Sequence, residues 1–161
     1  MGAYFKIKKE SDIIKKTLIR KKNGSPYPTI DDLNLKIFLL KKYLIDNVVE
    51  TKIIQNGKSI QLEQPFTRGK ELFILLEKEM PNNFIKFVKR LKKFYSNTGM
   101  LPDLLDNKNI LVTENNEIKI IDLWPLFFKE RVKNRDLNEQ SYKENLKKFN
   151  FLKMKAGLDL E

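Results

Sequence analysis

The order of patterns along the chain predicts an α+β fold in one domain. With 161 residues there is enough chain for one core and too little for two full-sized ones. Segments of alternating polarity come in pairs around turn residues, and between the pairs apolar residues recur at helical spacing. Apolar residues make up 41% of the chain, with eleven Phe among them, so a packed core is expected rather than disorder.

Residues 4–8 (YFKIK) alternate apolar and cationic side chains and read as a strand. A turn at 9–12 leads to the β-branched segment 13–19 (IIKKTLI), its partner. Residues 20–28 (RKKNGSPYP) form a loop, and Thr29 then caps a helix running to about Asn47, with Asp31 and Asp32 in its first turn and Leu33, Ile37, Leu40 and Leu44 on one face. Asn56-Gly57 joins residues 48–55 and 58–63 into a hairpin.

A connector at 64–70 contains Pro65 and Gly69, and residues 71–79 form a short helix stopped before Pro81. Asn82 or Asn83 caps the next helix, in which Phe84, Phe87, Val88, Leu91, Phe94 and Tyr95 share one face and Lys86 to Lys93 supply a solvated basic one; Asn97-Thr98-Gly99 closes it. Trp124 is expected in the core, and residues 137–156 make one or two amphipathic helices ending at Gly157.

The absence of Cys excludes disulfides, thiolate metal sites and cysteine nucleophiles, and the absence of His excludes imidazole bases and histidine-ligated metals. Chemistry must rest on carboxylates, amides, Lys, Arg and hydroxyls. The net charge of +11 suits an acidic partner, an acidic protein surface, anionic lipid or, less favoured, nucleic acid; but the lysines are spread along the whole chain as on solvated faces. No window has the apolar length of a membrane span or a secretory signal, so a soluble, cytoplasmic protein is expected.

The stretch 100–124 (MLPDLLDNKNILVTENNEIKIIDLW) carries the chemistry. A strand from Asn109 to Thr113, a turn at 114–116 and a strand from Ile118 to Ile121 form an antiparallel hairpin. Asn109 and Asp122 then lie at one end of the ribbon, with Asp103 and Asp106 on the loop leading in, and Asp106 is read as a solvated loop residue. Hard oxygen donors converging at one point suit Mg²⁺ carrying a phosphate.

This order of elements, with Gln61 to Phe66 and Gly69 as a strand running into a connector, Asn109-Ile110-Leu111-Val112, and Lys119-Ile120-Ile121-Asp122, resembles the protein-kinase-like superfamily. The resemblance implies a bilobed fold: a reduced β-rich small lobe with one helix at about 1–64, a hinge at 65–70, and a truncated helical large lobe at 71–161. It implies that ATP binds in the cleft between the lobes, with Asn109 and Asp122 holding Mg²⁺ and Asp103 as the catalytic base. Lys16, or Lys15 in the alternative register, would contact the nucleotide phosphates. The expected activity is phosphoryl transfer to a protein or small-molecule hydroxyl.

Several positions depart from the family pattern. Leu101-Pro102 stand where it has His-Arg or His-Gly, Leu123-Trp124 follow Asp122 in place of Phe-Gly, the glycines are isolated, and the first helix has no interior Glu. These departures define the alternative: a kinase-like binding module without catalysis, with a basic nucleic-acid-binding protein as the third reading.

Overall fold

A computed structural model describes residues 5–18, 29–57, 59–123, 126–128 and 139–158. The loop at 20–28, Trp124 and the charged run at 129–136 lie outside the described residues. The fold is mixed α+β with antiparallel sheets. Its contacts divide the chain into two units, Met1–Leu39 with Val49–Thr67, and Leu40–Val48 with Arg68–Glu161.

In the first unit, β1 (Phe5–Glu10), β2 (Ile13–Leu18), β3 (Lys52–Asn56) and β4 (Ser59–Pro65) form an antiparallel sheet in the order β1-β2-β4-β3. The β1–β2 turn is two residues, tighter than the sequence suggests, and Ser11 takes the positive φ of 53° that such hairpin turns demand. The β3–β4 ladder closes at the pair Asn56 and Ser59, with Gly57 at φ 57°. One face of the sheet buries Lys16, Leu18, Ile60, Leu62 and Gln64. Gln64 is satisfied by donating to the Thr51 hydroxyl at 2.9 Å.

Helix α1 (Ile30–Leu44) starts as the sequence predicts. Asp32 N–H donates to Thr29 Oγ1 at 3.1 Å and Thr29 N–H to Asp32 Oδ2 at 3.3 Å, a reciprocal cap that satisfies two backbone donors. The helix passes from the first unit into the second at Leu40 and tightens into a 3₁₀ turn, Ile45–Asn47. The strand expected from Val48 begins only at Lys52; Val48 instead bridges Ile120 in parallel.

The second unit has a three-stranded sheet, β5 (Lys70–Glu71), β7 (Ile110–Val112) and β8 (Ile118–Ile120), ordered β5-β7-β8, and a two-stranded pair, β6 (Met100–Pro102) with β9 (Leu126–Phe128). Of the helix expected at 71–79 only α2 (Leu72–Leu75) is α-helical. Helix α3 (Phe84–Thr98) buries Phe84, Phe87, Val88, Leu91 and Phe94; burying a side chain of this size contributes ~1.5–3 kcal/mol. Asn83 sits at its N-terminal boundary but makes no side-chain cap, while Gly99 ends it at φ 66° as predicted. Helix α4 (Glu139–Lys155) is a single helix closed by Gly157 at φ 65°. It packs Phe149 edge-on against Tyr95, with Tyr142 and Tyr95 hydroxyls 3.0 Å apart.

Candidate functional site

The loop between β6 and β7 makes three side-chain to backbone hydrogen bonds within itself, through Asp103, Asp106 and Asn109. Asp106 begins a 3₁₀ turn, Asn107–Asn109: its Oδ1 accepts Lys108 N–H at 2.9 Å and its carbonyl accepts Asn109 N–H at 3.0 Å. Asp106 therefore shapes the loop, and Asn109 belongs to this turn rather than to the strand that the sequence places it in. Asn109 is buried, and its Nδ2 donates to the Asp103 carbonyl at 3.1 Å, closing the loop on itself.

The hairpin brings Asp122 to the same place. Ile110 pairs with Ile120, and the ladder continues one step as Ile121 N–H donates to the Asn109 carbonyl at 2.9 Å. Asn109 and Asp122 thus share the open end of the hairpin. At the closed end Asn116, at φ 61°, completes the turn, a left-handed position that Asn tolerates.

Asp103 is half-buried and its Oδ1 accepts Leu105 N–H at 2.9 Å. Burial pushes its carboxyl above its ordinary value; the Leu105 N–H pulls the other way, the negative charges of Asp122 and Asp106 push it up, and Lys148 pulls it down. Asp122 is close enough for its charge to act on Asp103. Three of the predicted residues are therefore brought together: Asp103, Asn109 and Asp122.

The fourth, Lys16, lies in the first unit. The register pairs Lys16 with Leu62 and Lys15 with Glu63, so adjacent lysines face opposite ways. Lys15 ion-pairs with Glu10 and Glu63, whereas Lys16 is 7% exposed. Lys16 is thus the inward lysine of the two and not a solvated one.

Sequence reasoning missed the contribution of α4. Asn145 is fully buried and bonds the backbone on both sides of Asp103, while Lys148 Nζ donates to the Leu105 carbonyl and to Asn107 Oδ1. Burial lowers the proton affinity of Lys148, and Asp103, Asp106 and Glu71 act against that. Its ammonium also lies 4.5 Å from the centre of the Phe73 ring. The only signal in the sequence was the three-residue spacing of Asn145 and Lys148 on one helix face.

The donor set suits a hard cation. Asn109 directs its Nδ2 at the Asp103 carbonyl, so the amide oxygen is the atom it would offer a cation, and Mg²⁺ needs few protein ligands because it keeps waters and binds phosphates. Among the described residues no group of three or more carboxylates has metal-binding geometry. A cavity of about 690 Å³ opens elsewhere, at the turn end of the hairpin, lined by Gly69, Lys70, Val112, Thr113 and Asn116 among others; it includes none of the predicted site residues.

No protein-family model matches the chain, and no curated protein matches it. Among the described residues no helix is long and apolar enough to cross a membrane.

Proposed function

We propose that the chain is a compact, bilobed kinase-like domain that binds a Mg²⁺-nucleotide and transfers its phosphoryl group to a hydroxyl of a protein or small molecule. The observation that carries this reading is the convergence of Asp103, Asn109 and Asp122 through the Asn109–Asp103 hydrogen bond and the β7–β8 register. Mg²⁺, when bound, neutralises charge on the phosphates. Asn109 and Asp122 are the residues that would hold it, and Lys16 is the lysine assigned to the phosphates. Asp103, with its raised proton affinity, is suited to orient the acceptor hydroxyl and take its proton.

A thermal-shift titration with ATP and Mg²⁺ tests the reading, because a ligand that binds only the native state raises its melting temperature. The expected result is a shift at millimolar nucleotide that depends on Mg²⁺, with the Mg²⁺ dependence lost in Asp122→Ala. No shift sinks the nucleotide reading.

The second reading, a binding module without catalysis, is favoured by Leu101-Pro102 ahead of Asp103 and by a first helix with no interior Glu. It predicts no turnover of ATP whether or not a shift occurs.

A further inference from the structure

Helix α4 reaches back 41 to 43 residues to hold the loop that carries Asp103. Asn145 uses both ends of its amide there: Nδ2 donates to the Pro102 carbonyl at 3.0 Å and Oδ1 accepts Leu104 N–H at 2.7 Å. These are the peptides on either side of Asp103. One turn further along α4, Lys148 donates to the Leu105 carbonyl at 3.0 Å. Leu105 N–H in turn donates to Asp103 Oδ1 at 2.9 Å. A single residue is thus gripped at its carbonyl by Lys148 and offers its N–H to the Asp103 carboxylate.

We propose that Lys148 is a positioning residue for Asp103, acting through Leu105, with Asn145 fixing the flanking peptides. A lysine ordinarily extends its ammonium into water along an apolar stem. This one is committed instead to a backbone carbonyl and an amide oxygen, beside the charges of Asp103, Asp106 and Glu71. Residues directly before Asp103 cannot do this work, since Leu101 and Pro102 have no side-chain donors. The loop's rigidity is imported from a helix distant in sequence. The positional claim stands on these hydrogen bonds alone; its consequence for turnover rests on the phosphoryl-transfer reading.

The test uses the full chain with Lys148→Met, which keeps an unbranched apolar stem but removes the donors and the ammonium over the Phe73 ring, and Lys148→Arg, which keeps a cation. Amide hydrogen exchange at Leu105 is expected to speed up at least about tenfold in the methionine variant while Val88 and Leu91 in α3 are unchanged, with partial recovery in the arginine variant. In Mg²⁺-ATP turnover, kcat should fall ~10–100-fold with KM for the nucleotide held within about twofold. Unchanged exchange at Leu105 overturns the proposal. So does exchange that rises evenly through α3 and α4 with kcat intact, which is the mark of a merely structural prop. If Lys148→Met does not fold, Lys148→Gln, which is neutral and one atom too short to place a donor where the ammonium stands, serves for the same comparison. A wild-type chain without turnover overturns the phosphoryl-transfer reading, and Leu105 exchange still decides the positional claim.

Discussion

Asp103 shows what burying a carboxyl group does to stability. Its folded carboxyl holds its proton above the ordinary value of 3.8, so over the window just above that value the native state binds more protons than the unfolded chain. The contribution of Asp103 to stability therefore falls as pH rises through the window, and its ionised carboxylate remains a burden at neutral pH. Asp103→Asn, which keeps an oxygen for Leu105 N–H, should melt higher than wild type near pH 7 and the same near pH 3, below the titration of both states. An equal or lower melting temperature near pH 7 would refute the account. The clustering of Asn109 and Asp122 was legible in the sequence, because an antiparallel hairpin must return its ends to one place. The burial of Lys16 was not. Lys15 and Lys16 are adjacent and alike, and only the pairing of β2 with β4 decides which points inward.

Among the elements, β5 and β7 approach closely at Gly69, the residue just before β5. A Cβ at that position would lie 2.5 Å from the Val112 carbonyl oxygen, a backbone atom that cannot rotate away. Gly69→Ala should therefore destabilise the chain by about 1–3 kcal/mol in urea unfolding, since β5 must separate from β7. A change under about 0.5 kcal/mol would mean the edge strand contributes little. Gly69 reads in the sequence only as a breaker, because its neighbour across the sheet is 43 residues away. Turn chemistry made the hairpins β1–β2, β3–β4 and β7–β8 legible. The β6–β9 pairing escaped, because each strand is three residues long and one of them ends in Pro102. The role of α4 escaped for another reason: Asn145 and Lys148 look like solvent-facing residues of an amphipathic helix until the loop they hold is in view.

On the scale of the whole molecule, the +11 net charge is the dominant field. Ion pairs such as Arg90 with Asp46 at 2.6 Å relieve it locally, but self-repulsion destabilises a compact state of one sign. Raising the ionic strength from about 10 mM to about 150 mM shortens the Debye length from ~30 Å to ~8 Å and should raise the melting temperature. A fall with salt would show that attractive pairs outweigh the repulsion. The division into units carries a different consequence. Because Leu40–Val48 belongs to the second unit yet interrupts the first, no single cut of the gene separates them. A fragment starting at Arg68 would lack Leu40 and Leu44, the Asn47 amide that donates to the Ile118 carbonyl, and the Val48 bridge to Ile120. During synthesis the ribosome releases this piece of the second unit first. The candidate site's own hairpin thus waits for its last residues to emerge before it can dock on a segment made long before it.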